Sequence, residues 1–189
     1  MVKRRRLGLL ASLVILTSAI AVSPVAAVPG NDSTVLILDS TVSGPGSLEE
    51  TAAVALGFTV EVVNAATWSA MTASDFGSYR AIILGDPTCV GPGAPATFPA
   101  NEATWGPEVD GNVVLIGTDP VFHSSVGPGG AQGGDAVTEK GIAFAVDQVG
   151  KTGLYATLSC YYHGATALTP VPAFDSLSSA GNFTVTGVG

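Results

Sequence analysis

Five short apolar runs each close in a small polar cluster, and that repetition leaves few architectures open: Val35–Thr41 (VLILDST), Val60–Thr67 (VEVVNAAT), Ile82–Cys89 (IILGDPTC), Val114–His123 (VLIGTDPVFH) and Ala156–His163 (ATLSCYYH). Runs of this length, rich in Val, Ile and Leu and separated by stretches with helical signals, predict strands of one parallel sheet covered on both faces. Ligand crevices in such sheets lie beyond the carboxyl ends of the strands. Asp39, Asp86, Cys89, Asp119, His123, Cys160 and His163 are therefore expected along one edge. A shared edge is a place for a site and does not yet define a reaction.

The segments between the runs carry helix and loop signals. Ser47-Leu48-Glu49-Glu50 has the S-x-x-E spacing in which a hydroxyl and a carboxylate satisfy each other's free backbone donors, and Gly57 supplies a stop. Thr72-Ala73-Ser74-Asp75 repeats that start for a short helix through about Tyr79. Asn101 to Trp105 predicts another short helix, ended by Gly106-Pro107, and Asp135 to Val149 a longer one closed by Gly150. Pro87–Pro99 and Ser124–Gly134 read as loops, the second a mobile one: its GPGGAQGG lacks the G-x-G-x-x-G spacing of a phosphate cradle. The second run carries Glu61, and the fifth places Tyr155 and Thr157 on one side, so both predict edge strands. The first, third and fourth are wholly apolar and predict interior strands. With right-handed crossovers this gives the flavodoxin-like order 2-1-3-4-5, an α/β three-layer sandwich. After His163 the pattern weakens: 164–189 offers a loop at Thr169–Pro172, a helical turn at Phe174–Leu177 and a strand at Phe183–Val188 running into the terminus, as a natural short form or a fragment of a longer chain would.

Lys3-Arg4-Arg5-Arg6, an uncharged stretch from Leu7 to Val22 and a Val25-Ala26-Ala27 exit predict a secretory signal peptide over residues 1–27. Sixteen apolar or small residues fall short of the roughly 20 that span a membrane. Residues 28–33 then form a polar linker before a single domain over 34–189. Removing 27 of the 189 residues leaves Arg80, Lys140 and Lys151 against fifteen carboxylates, a formal charge of −12. That surface repels nucleic acid and anionic membranes. Two cysteines in an exported chain can persist as a disulfide.

LILDST, the capped helix, ALGFTVEVV, DFGSYRAIILGD and GNVVLIGTD resemble, in that succession, the class I glutamine amidotransferase-like superfamily, including its trehalose-utilisation-type branch, over about residues 34–159. The helix end Gly57-Phe58-Thr59-Val60 and the third strand Tyr79-Arg80-Ala81-Ile82-Ile83-Leu84-Gly85 carry the likeness. Secreted bacterial proteins of unassigned function with such a domain are similar too. In active members, the strand equivalent to Val113–Gly117 ends in G-x-C-x-G, presenting a nucleophilic cysteine, with a histidine and a glutamate later. Here the turn reads Gly117-Thr118-Asp119-Pro120-Val121, and no late His-x-Glu follows. Acyl transfer needs an activated thiolate, so the resemblance implies the fold with amidotransferase activity absent.

Three constellations remain. Cys89 and Cys160 are a disulfide pair candidate closing a loop of roughly 70 residues, although the order 2-1-3-4-5 would hold their strands about 9–10 Å apart, beyond the roughly 7 Å limit between bridged Cα atoms. Cys160, His163, His123 and Asp119 are candidate ligands for zinc, which accepts S, N and O donors together. Asp86, Asp119 and His123, with Asp39, are candidates for acid, base or hard-cation roles in a secreted hydrolase, carbohydrate-related or metal-dependent. The plainer alternative is that these side chains cap turns and strand ends. Trp68, Trp105, Tyr161 and Tyr162 are either a sugar-binding surface or core. Asn31-Asp32-Ser33 and Asn182-Phe183-Thr184 are glycosylation sequons. The sequence thus favours a non-catalytic binding or surface module for a small molecule, a glycan or a protein, without a cofactor, over a secreted hydrolase.

Overall fold

Five strands make one parallel sheet: β1 (Asn31–Leu38), β2 (Thr59–Val63), β3 (Tyr79–Leu84), β4 (Val113–Ile116) and β5 (Gly153–Thr157), hydrogen-bonded in the order β2-β1-β3-β5-β4. The computed structural model describes residues 31–85, 97–158, 162, 164–165, 167–177 and 181–186. The architecture is the flavodoxin-like α/β sandwich that the run pattern predicts, with one correction: β5 lies between β3 and β4, not outside β4. Every residue of β5 is buried, whereas Val113 of β4 is 39% exposed. Two features mislead the sequence reading. The Tyr155 hydroxyl finds an internal partner, donating to Thr138 Oγ1 at 3.4 Å, so a polar atom marks an interior strand. The wholly apolar β4 is half covered by the helix that follows it.

Strand alternation sorts the core into two faces. Leu36, Leu38, Ile82, Leu84, Leu154 and Ala156 point to one; Val35, Ile37, Ala81, Ile83 and Tyr155 point to the other. Two regular helices, α1 (Leu48–Ala55) and α6 (Gly134–Ala145), cover the second face with Ala52, Ala53, Ile142 and Ala145. The first is covered by four short helices, α2 (Ala65–Ala70), α3 (Ala73–Phe76), α4 (Thr97–Ala100) and α5 (Glu102–Trp105), and by a 3-10 turn at Pro172–Leu177. Aromatics fill the space that such short helices leave. Trp68, Phe76, Phe98, Trp105 and Phe174 are fully buried, with Trp68 edge-on to Phe76 at 4.8 Å and Trp105 edge-on to Phe174 at 6.2 Å. Each such burial stabilises by about 1.5–3 kcal/mol. Trp68 and Trp105 are therefore core, not a sugar-binding surface.

Local signals hold with small shifts. Ser47 caps α1, accepting from Glu50 N at 3.2 Å, but the Glu50 carboxylate turns back to Gly46 N (2.7 Å), one residue before Ser47. Gly57 ends the helix at φ +90°, a left-handed conformation that only glycine adopts without strain. The Thr72–Asp75 box closes in both directions, and its bonds to Thr72 lower the Asp75 pKa. The helix α2, not anticipated, is capped by Asn64 accepting from Thr67 N at 2.9 Å. Past Thr169 the chain contributes to the core: β6 (Thr169–Pro170) and β7 (Thr184–Val185) form a short antiparallel ribbon, and Val171, Ala173 and Phe174 are fully buried.

A polar clamp holds the amino ends of the strands. Arg80, almost buried, donates to Val146 O at 2.5 Å and lies 3.4 Å from Asp32, which also accepts from Gly150 N. Asp32 thus belongs to β1 and not to a linker. Lys151 pairs with Asp110, which further accepts from Thr152 N. Tyr79 donates to Glu61 at 2.7 Å; burial and that carboxylate raise the phenol's pKa well above its usual value. Among the described residues no helix is long and apolar enough to cross a membrane, and the segment read as an export signal lies outside them.

Candidate functional site

The strand order reverses between β1 and β3, because β1 leads to β2 on one side and β3 lies on the other. Ligands of open α/β sheets bind at the carboxyl side of that point. The loop after β3, which includes Asp86 and Cys89, falls outside the described residues; the loop after β1 lies within them. It begins in a 3-10 turn at Asp39–Thr41, where Thr41 Oγ1 donates to Leu38 O at 2.7 Å and accepts from Gly85 N at 3.2 Å. Glu49, fully buried in the first turn of α1, packs against the same place. A Cβ on Gly85 would come 2.3 Å from Glu49 Oε1 and 2.9 Å from Thr41 O. The close joint between β1, α1 and β3 therefore demands glycine at 85. Sequence reading passed over Glu49, since one carboxylate beside another in a helix start looks like capping.

Beside this joint is a cavity of about 650 Å³ at the carboxyl ends of β1 and β2. Asp39, Glu50 and Asn64 line it with polar groups; Val42, Pro45 and Val62 make apolar walls, and Gly44 completes it. One Glu50 oxygen is committed to Gly46 N, and Asn64 Oδ1 to Thr67 N. That leaves the second Glu50 oxygen, the Asn64 amide NH₂ and the Asp39 carboxylate without a hydrogen-bond partner among the described residues. Arg80 and Lys151 are paired at the amino ends of the strands, and Lys140 lies on α6. Among the described residues the crevice is acidic, with no basic residue in its lining.

Asp119 serves its own turn. It is 7% exposed, its Oδ1 accepts from Phe122 N at 3.0 Å, and its carbonyl accepts from His123 N at 3.3 Å. It follows β4, three strand spacings, about 14 Å, from the β1 end that carries Asp39. The strand-end carboxylates thus divide between opposite sides of the sheet edge. His123 sits one turn beyond Asp119, its ring edge-on to Phe122 at 5.0 Å. Its Nδ1 is buried without a hydrogen-bond partner among the described residues. The glycine-rich stretch after it is tightly knit: the His123 carbonyl accepts from Gln132 N and Gly134 N, and Gly129 N donates to Phe122 O. Ser125 donates to Asp135 through both its hydroxyl and its backbone N–H, and these bonds lower the Asp135 pKa. Ser125 thus bonds Asp135 directly, with no imidazole between hydroxyl and carboxylate as a Ser-His-Asp triad would have.

Cys160 and His163 lie outside the described residues, so the expected zinc set is represented within them by Asp119 and His123. Among the described residues no three His, Cys, Asp or Glu side chains gather where they could hold a metal. Tyr161 is likewise outside, whereas Tyr162 packs half-buried against the aromatic face. No model of a protein family matches the chain, and no curated protein or solved structure matches it.

Proposed function

We propose that the chain is an exported, non-catalytic module of amidotransferase-like architecture that binds a small molecule in the crevice over the carboxyl ends of β1 and β2. The carrying observation is the cavity of about 650 Å³ lined by Asp39, Glu50 and Asn64 with Val42, Pro45 and Val62. It has the volume of a small-molecule site, apolar walls, and a few polar groups that its own fold leaves uncommitted. Supporting the absence of acyl transfer, the position where the superfamily places its nucleophile holds Asp119, whose carboxylate bonds its own turn.

Methyl-detected NMR of the ¹³C-labelled protein, titrated with a cocktail of neutral, cationic and anionic fragments, tests this. Saturable shifts confined to Val42 and Val62 are expected. Shifts elsewhere only, or none, would overturn the assignment. Turnover of nitrophenyl esters or glycosides that vanishes in Asp119→Asn and His123→Ala would replace it with the hydrolase reading.

A further inference from the structure

Among the described residues the crevice holds acceptors and walls but no counter-charge, and this asymmetry goes to ligand class. Resting on the crevice reading above, we propose that its ligand is a small organic cation, an amine or guanidinium on an apolar stem. Asp39 and the free oxygen of Glu50 accept from the cationic head, and Val42, Pro45 and Val62 cover the stem. Arg80, Lys140 and Lys151 are the basic residues after position 27. Two of them form ion pairs at the amino ends of the strands, with Asp32 and Asp110, and none lines the cavity. An anionic ligand would meet two carboxylates and find one amide NH₂ as its side-chain donor. A hard metal ion fits no better: calcium takes six to eight oxygens, one Glu50 oxygen is already used by Gly46 N, and the three apolar residues offer a metal nothing. They do offer an alkyl stem an apolar surface.

Butylammonium, butanol, butyrate and calcium chloride, matched in ionic strength, separate the possibilities when the Val42 and Val62 methyls are followed by NMR. Butylammonium is expected to give saturable shifts, butanol to bind at least about tenfold more weakly, and butyrate and calcium to leave the methyls in place. Asp39→Asn and Glu50→Gln should each weaken butylammonium about tenfold without moving the urea midpoint, since glutamine at 50 can still accept from Gly46 N. Equal binding of butanol and butylammonium, or binding of butyrate or calcium, overturns the cationic class while leaving the crevice as a site. Silence at both methyls with every probe overturns class and crevice together.

Discussion

The two ends of the same sheet treat charge in opposite ways. At the amino ends of the strands Arg80 meets Asp32, Lys151 meets Asp110 and Tyr79 meets Glu61, so each polar group has its partner within the fold. At the carboxyl ends of β1 and β2, Asp39 and Glu50 face a cavity with no cation beside them among the described residues. The first arrangement spends charge on stability. The second leaves charge available, with Arg80 and Lys151 engaged at the other end and Lys140 on α6.

The strand order bears on how the carboxyl end is held, and here the largest effect is expected. With β5 beside β3, the strands preceding Cys89 and Cys160 are one spacing apart, about 4.8 Å, and not two. Leu84 pairs with Ala156, and the cysteines follow five and four residues later. Both lie outside the described residues, yet the objection drawn from the order 2-1-3-4-5 no longer stands. The denatured, unreduced protein should show no titratable thiol, and reduction should lower the unfolding free energy by about 4 kcal/mol. Two free thiols would leave that end without a covalent brace and break the symmetry of the comparison.

The next effect belongs to the amino end. Arg80→Met should cost about 3 kcal/mol in urea denaturation, because it strands the buried Val146 carbonyl and removes the cation from Asp32; a cost below about 1 kcal/mol would mean that the clamp is not what holds this end. Tyr79→Phe should cost about 1 kcal/mol near neutrality. Folded Tyr79 keeps its proton to higher pH than the unfolded chain does. Its contribution is therefore complete below about pH 10 and lost as pH rises beyond it, and the alkaline fall in stability should shrink in the Phe variant. Smallest of all, Asp39→Asn should change stability by less than about 0.5 kcal/mol. A substantial loss there would show that the carboxyl-end charges are structural after all.

How legible this was in the sequence depended on whether a residue's neighbours in the chain are also its neighbours in space. The Thr72–Asp75 box, the left-handed glycine at 57 and the edge strand carrying Glu61 are local matters and were readable. The placement of β5 was not, because a tyrosine hydroxyl reads as exposure until Thr138, seventeen residues away, is seen to receive it. The site divided in the same way. Asp39 was marked by its place after an apolar run, but Glu50 and Asn64 looked only like helix caps. Both do cap, and each keeps further polar capacity toward the cavity, which only the juxtaposition of β1, α1 and β2 reveals. Asp119 was marked by its place after an apolar run, whereas its bond to Phe122 N, which ties it to its own turn, was not readable.

The position of β5 also sets a timetable. Among the described residues its two strand neighbours are β3 and β4, and β4 is joined to the sheet by β5 alone. A chain emerging from its amino terminus can assemble β2-β1-β3 early, but β4 then waits, apolar and unpaired, through the making of the Gly134–Ala145 helix until residues 153–157 arrive. For that interval the open edge of β3 and the unpaired β4 coexist on one nascent molecule, a condition that invites wrong pairing. The strand that seals the sheet is thus among the last to be made.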